Sequence, residues 1–335
     1  MRGMTRPRVC IVTPALAAAN NGNWHTAERW QGFLSDVADV DVRLAWYGEP
    51  ADVLIALHAR RSAESIARFR QAHPQRSLAL VLTGTDLYRD LAIDRSAQHS
   101  LECASHVVVL QDAALQSLQD AARAKARSIV QSAQAWEAGG ETGACDFVAV
   151  GHLREEKDPL TLMAAATLLP HDCAIDIVHI GGALDAHLGE QARLTAASFP
   201  RYRWLGPLPP AATRDWIANA RALVQMSRME GGANTVIEAV RSGVPVLASR
   251  IDGNVGLLGR DYSGYFPVGD APALAALMLK FIHESDFARL LEAQCAARAP
   301  IFAPERERAA VQALVADMLK ASQGTMPFAA PEDSP

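Results

Sequence analysis

The sequence predicts an α/β protein of two doubly wound domains, on three observations. Short β-branched runs alternate with amphipathic helical patterns, the alternation stops at a polar stretch and restarts, and several strand-like runs open into glycine-containing loops. Strands alternating with helices build parallel sheets through right-handed crossovers. Ligands of such sheets bind beyond the carboxyl ends of the strands, so the loops there are the places to look for function.

In the first half, Val9–Thr13, Val40–Ala45, Val53–Leu57, Leu78–Leu82 and His106–Leu110 read as buried strands. Between them His25–Val37 puts Ala27, Trp30, Leu34 and Val37 on one helical face, and Ser62–His73 and Asp112–Lys125 also read as helices. Residues 131–144 are polar and aperiodic, as a linker is. The pattern then restarts, with strands at Phe147–Val150, Ile175–Ile180, Leu223–Met226 and Val244–Ala248. Helices are expected near Pro159–Leu169, Asp185–Ala197, Ala211–Ala220 and Asn234–Arg241, then at Ala271–His283 and Glu305–Ala321. The expected division is an N-terminal domain of residues 1–140, a second domain of 141–302, a closing helix over 303–322 and a disordered tail over 323–335.

A chain of 335 residues is long enough to bury two cores. Its hydrophobic fraction of 50% and charged fraction of 21% are those of an ordinary globular protein. A net charge of −5 argues against a nucleic-acid partner, whose binding would need a basic surface. The arginines Arg68, Arg70 and Arg76 read as a solvated helix face. Cys10, Cys103, Cys145, Cys173 and Cys295 are scattered, with no metal-ligand spacing, and fit reduced thiols in a cytosol. The basic start followed by an apolar run imitates a signal peptide, but Pro14 cuts that run short. No apolar stretch approaches the ~18 residues of a membrane span. The expected setting is cytoplasmic, without a membrane.

The stretch from Glu230 to Glu238 carries the most chemistry. Val236, Ile237, Ala239 and Val240 begin a helix, so Glu230 lies in the loop before it and Glu238 lies inside it. Gly231, Gly232, Ala233 and Asn234 leave the first backbone N–H groups open to an anion. Two carboxylates around a helix N-terminus suit the hydroxyls of a sugar and a ribose, with the amides on the phosphates between them. At the head of the second domain, Gly151 and His152 precede Lys157, a cation for phosphate charge. Asp252, Gly253 and Asn254 follow a later strand and are expected to flank the same ligand. After the first strand, Thr13 leads through Asn20-Asn21-Gly22-Asn23-Trp24-His25 into a helix, again with N–H groups for an anion. No Gly-x-Gly-x-x-Gly fingerprint sits in a suitable place, which argues against a dinucleotide cofactor.

Glu230-x7-Glu238, Gly151-x5-Lys157-Asp158, Gly243-Val-Pro-Val246 and Asp252-Gly253-Asn254 occur in the order found in a large family. They resemble the glycogen-synthase-like, two-domain (GT-B) nucleotide-sugar glycosyltransferases, whose Rossmann-like domains face each other across a cleft. More narrowly, Pro14 to Trp30, Leu57-His-Ala-Arg-Arg-Ser62 and Leu82-Thr-Gly-Thr-Asp-Leu87 resemble the selenosugar synthases of selenoneine biosynthesis. That resemblance implies a UDP-N-acetylglucosamine or UDP-glucose donor and a selenophosphate acceptor. The donor would be held by Gly151, His152, Lys157, Glu230, Gly231, Gly232, Ala233, Asn234, Glu238, Asp252, Gly253 and Asn254. Lys157 would contact the pyrophosphate, Glu238 the ribose and Glu230 the donor sugar.

Acceptor candidates are Thr13, Asn21, Gly22, Asn23, His25, His58, Arg60, Arg61 and Thr85, with Lys157, Glu230 and His25 as the catalytic set. Neither a metal nor another cofactor is expected. A selenophosphate synthase upstream and a selenium–carbon bond-forming enzyme downstream are the implied partners. Two positions depart from the broad pattern: His152 stands where an arginine is usual, and Ala233-Asn234 replace glycine and an apolar residue. The alternatives are a glycosyltransferase acting on a hydroxyl, with His25 or Asp86 as its base, and a nucleotide-sugar epimerase or non-catalytic binder on the same fold.

Overall fold

The computed structural model describes residues 6–16, 22–137, 139, 145–170 and 173–323. Asn20, Asn21 and the tail beyond residue 323 therefore lie outside the described residues. The chain forms two compact units, one from residues 1–110, 115–129 and 308–335, the other from 111–114 and 130–307.

The first unit begins β1 (Arg8–Val12), α1 (Gly22–Leu34), β2 (Asp39–Arg43), β3 (Val53–Leu57) and α2 (Ala63–Ala72). It continues β4 (Leu78–Leu82), a π-helical turn at Asp86–Asp90, α3 (Leu91–Ile93), α4 (Arg95–Cys103) and β5 (His106–Val109). A 3-10 turn, Asp112–Ser117, leads to α5 (Asp120–Arg123) and β6 (Ala126–Ser128). The strands form one parallel sheet in the order β2-β1-β3-β4-β5-β6. β3 and β4 are buried along their whole length, as expected of central strands covered on both faces.

The second unit runs β7 (Cys145–Val150), α6 (Pro159–Leu168), β8 (Ile177–Ile180), α7 (Ala186–Ser198), β9 (Tyr202–Gly206) and α8 (Pro210–Asn219). Then come β10 (Ala220–Gln225), α9 (Asn234–Arg241), β11 (Val246–Ser249), α10 (Asp252–Leu258) and β12 (Tyr265–Phe266). α11 (Ala271–His283) and α12 (Ser285–Arg298) follow, and α13 (Pro304–Gln323) belongs to the second unit only as far as Glu307. Its sheet is also parallel, in the order β12-β11-β10-β7-β8-β9. The two doubly wound α/β units expected from the sequence are present.

From Arg308 onward the closing helix is part of the first unit. α13 lays Val311, Leu314, Val315 and Met318 against Ile11, Trp30, Ile55 and Val81 of the first unit. Ser77 Oγ fastens it there by donating to the Met318 carbonyl at 2.8 Å.

One expected element is corrected. Asp112–Lys125 is not a single helix but a 3-10 turn, one short α-helical turn and the approach to β6. Its alanine-rich sequence favours a helix, yet Val107–Val109 can pair in parallel with Ala126–Ser128, and that tertiary pairing wins. No described helix is long and apolar enough to cross a membrane.

Candidate active site

In the second unit the chain leaves β7 toward β8 on one side and later returns through β10 on the other. The carboxyl ends of β7 and β10 therefore flank a topological switch point, where a doubly wound sheet opens a crevice. Lys157 follows β7 and Glu230 follows β10, and their side chains meet there. Lys157 Nζ donates to Glu230 Oε1 at 2.5 Å, with the side chains 20% and 11% exposed. Gln225 Nε2 at 3.0 Å and Ser227 Oγ at 2.7 Å donate to the same oxygen. All three donors converge on Oε1, so the carboxylate is held by one edge.

The loops that carry this pair are stitched together. Arg228 donates its backbone N–H to the Glu156 carbonyl at 2.9 Å and its guanidinium to Asp158 Oδ1 at 3.2 Å. Asp158 is buried at φ 48, and its second oxygen accepts from Thr161 Oγ1 at 2.8 Å at the start of α6. A non-glycine residue in the left-handed region costs roughly 1–2 kcal/mol and persists only where its surroundings hold it. Gly253 brings the third loop in: a Cβ there would stand 2.2 Å from the Glu230 carbonyl oxygen. Only glycine allows that approach.

The other expected donor residues divide into exposed and buried ones. Gly151 lies beneath the Lys157 side chain, with a Cβ position 3.4 Å from its Cδ. His152 Nδ1 accepts the Gly182 N–H at 3.1 Å, so the neutral ring carries its hydrogen on Nε2. Asn254 is fully buried and donates through Nδ2 to the Ser249 carbonyl at 2.9 Å, which makes it a fastener of the loop. Asp252 stands exposed at the start of α10. α9 turns Val236, Ile237, Ala239 and Val240 inward and leaves Glu238 half-buried. Its N-cap is Ala233, which makes no side-chain cap hydrogen bond to the first N–H groups. Gly231 is buried ahead of it, and Gly232 and Asn234 are partly exposed.

In the first unit the switch point lies between β1 and β3. Thr13, fully buried, directly follows β1, and Gly22, Asn23 and His25 lie in the first turn of α1. His25 Nδ1 lies 3.8 Å from Glu28. His58 directly follows β3 at φ 72; it and Asp158 are the non-glycine residues with positive φ among those described. Both stand in loops singled out for function. His58 Nε2 reaches Thr85 Oγ1, beyond β4, at 3.2 Å.

Asp90, almost fully buried, accepts from Arg60 Nε at 2.9 Å and from Arg89 Nε at 3.1 Å. Burial pushes the Asp90 carboxyl up, but the bonds from Arg89 and Arg60 outweigh it and hold it below the ordinary carboxylate range. Burial lowers His58, with the nearby Asp86 charge opposing, and keeps the ring neutral. Arg61 is exposed. The structure thus joins His58, Arg60 and Thr85 in one cluster.

Asp86, Asp90, Arg89, Gln225, Ser227 and Arg228 were not among the expected binding residues. The Thr-Gly-Thr-Asp run after β4 was the available signal for Asp86. Asp86 also cannot serve as a base: it is fully buried and both oxygens accept hydrogen bonds.

Residues 144–284 match the family model for glycosyl transferases group 1. Solved structures share the fold across most of the chain. Sucrose-phosphate synthase from Thermosynechococcus elongatus is 15% identical with a TM-score of 0.75, covering 95% of this chain and 100% of its own. HepE from Anabaena, in complex with UDP and glucose, is 13% identical with a TM-score of 0.71, covering 94% and 100%. A TarM variant from S. aureus, in complex with fondaparinux, alpha-GlcNAc-glycerol and UDP, is 14% identical with a TM-score of 0.62. That match covers 80% of this chain, which spans only 55% of TarM's length. The chain has the GT-B glycosyltransferase fold. Within it, the second unit is the part that resembles group 1 glycosyl transferases.

Proposed function

We propose that this protein is a glycosyltransferase that moves a sugar from UDP-N-acetylglucosamine or UDP-glucose to the selenium of selenophosphate. The observation that carries the donor half is the Lys157–Glu230 pair at the switch point beside the uncapped end of α9. It supports diphosphate binding by Lys157 and the α9 amides, sugar binding by Glu230 and ribose binding by Glu238. UDP in the HepE and TarM complexes, and the group 1 match over the same unit, support a uridine diphosphate donor.

Selenium attacks the anomeric carbon, and the bond from that carbon to the diphosphate oxygen breaks with its electron pair leaving on UDP. Hydrolysis of the Se–P bond then yields a 1-selenosugar and phosphate. Selenophosphate is already largely deprotonated, so the burden falls on the leaving group and on alignment of two anions. Lys157 and the α9 N–H groups stabilise the departing charge. His152 adds a hydrogen bond where an arginine would add a full charge. For the selenophosphate half, the narrower sequence resemblance and the cluster of His58, Arg60 and Thr85 are the support.

The acceptor assignment is tested in the first unit. Asn23→Ala, His25→Ala and Arg60→Ala each raise the acceptor KM or abolish turnover and leave UDP binding nearly unchanged. Arg68→Ala, which removes a surface pair with Glu64 and a stack over Tyr47, does neither. Full selenophosphate-dependent turnover in the three loop variants would place the acceptor elsewhere.

A further inference from the structure

Asp86 is a fully buried carboxylate with no part in the donor chemistry. Its Oδ1 accepts the N–H groups of Thr83 at 2.8 Å and Gly84 at 3.0 Å, and its Oδ2 accepts the Ala59 N–H at 3.0 Å. It therefore ties the loop after β3 to the loop after β4 at the two positions that flank His58 and Thr85. A π-helical turn starts at Asp86 itself, a distortion of a kind often found at functional sites.

The tie has a consequence for His58. At φ 72 this residue occupies a conformation that glycine adopts freely and a histidine does not. Its Nδ1 accepts the Arg61 N–H at 3.4 Å, so the ring hydrogen sits on Nε2 and is donated toward Thr85 Oγ1. Asp90 Oδ2 stands 4.0 Å from the same Nε2, so the three groups do not form a relay through the two ring nitrogens. With its oxygen accepting from His58, the half-buried Thr85 hydroxyl has its own hydrogen to give. Arg60 and Arg61 are exposed beside this pair, whereas Asp86 and Asp90 are buried beneath it, so the accessible rim is positive.

We propose that Asp86 is a positioning residue that fixes His58, whose Nε2–H in turn orients the Thr85 hydroxyl as a hydrogen donor to a phosphate-type anion at the carboxyl ends of β3 and β4. The receptor offers that hydrogen and a positive rim but no base, so it selects an oxyanion over a neutral hydroxyl acceptor. This inference rests on reading the first unit as the acceptor-binding one.

The test uses the full chain saturated with UDP, with inorganic phosphate as probe, followed by calorimetry. Wild type binds phosphate, and His58→Gly and Asp86→Asn each weaken it at least ten-fold while UDP affinity stays within two-fold. Glycine at position 58 relieves the backbone strain and so offsets part of the lost packing, and retained UDP affinity shows that His58→Gly is folded; a histidine kept there for packing alone would not lose phosphate binding while UDP binding is retained. Should Asp86→Asn fail to fold, His58→Gly carries the test. Phosphate affinity within two-fold of wild type in His58→Gly, or no phosphate binding by wild type, overturns the receptor. Selenophosphate-dependent UDP release that survives in His58→Gly also overturns it and leaves the proposed function standing. Loss of phosphate binding in that variant, with no selenophosphate-dependent release by wild type, does the reverse.

Discussion

Lys157 and Glu230, 73 positions apart in the chain, are joined by an ion pair at the carboxyl ends of the neighbouring strands β7 and β10. The pair makes each residue the other's support. Glu230 holds the ammonium in place, and Lys157, with Gln225 and Ser227, fixes the orientation of the carboxylate.

The first prediction is that the two residues act as a unit. Lys157→Ala and Glu230→Ala each lower kcat/KM by roughly 10²–10³-fold, the usual cost of losing one electrostatic stabiliser. The double variant is little worse than either single one, because the first substitution already releases the second residue. A double-mutant cycle on UDP release measures this. Full additivity would mean that the pair has no functional coupling.

Glu238 on α9 is expected to bind the ribose. Glu238→Ala removes charge-assisted hydrogen bonds worth roughly 1.5–3 kcal/mol each, so UDP affinity falls ten-fold or more. Calorimetry with UDP reads it. Unchanged affinity removes Glu238 from the site.

Gly253 tests the packing of the loops. In Gly253→Ala the new Cβ meets the Glu230 carbonyl oxygen at 2.2 Å, so backbone must move. Overpacking of this kind costs about 1–3 kcal/mol, and the displaced Glu230 lowers UDP-sugar turnover as well. Gly32→Ala in α1 is the control: nothing lies within 4 Å of its Cβ position, and alanine there stabilises by about 0.5–1 kcal/mol. Thermal melting and turnover of the two variants decide.

Acid stability should depend on His179. Burial alone lowers it from 6.5 to about 4, and its Nε2 has no partner. The folded protein resists protonating this ring, so its contribution is complete above pH 6.5 and is lost as pH falls toward 4. That loss amounts to about 3 kcal/mol. His179→Gln, which keeps a partner for the Tyr202 hydroxyl, flattens the fall in unfolding free energy between pH 6.5 and 4. An unchanged slope would assign the acid sensitivity to other groups.

Much of this architecture was legible because the central strands are continuous apolar runs. Val53–Leu57 and Leu78–Leu82 lie where the sequence placed them, and Asn234–Arg241 begins after its small residues. The edges were not legible. β6 has three residues and β12 two, too few for a pattern, and β9 alternates aromatic and charged residues that also suit a loop. At the site, chain distance hid the partners. Residue types singled out Lys157 and Glu230 separately, but only the sheet order brings β7 beside β10 and joins them. Asp86 was visible as a carboxylate; its role depends on N–H groups from two loops, which no local pattern encodes.

The most direct measurement follows UDP release from UDP-N-acetylglucosamine and UDP-glucose by the purified protein, with and without selenophosphate. With at least one of the two sugars, release depends on selenophosphate and is accompanied by an equimolar 1-selenosugar. No selenophosphate-dependent release with either sugar, or release matched by transfer to a hydroxyl acceptor instead, would contradict the proposed function.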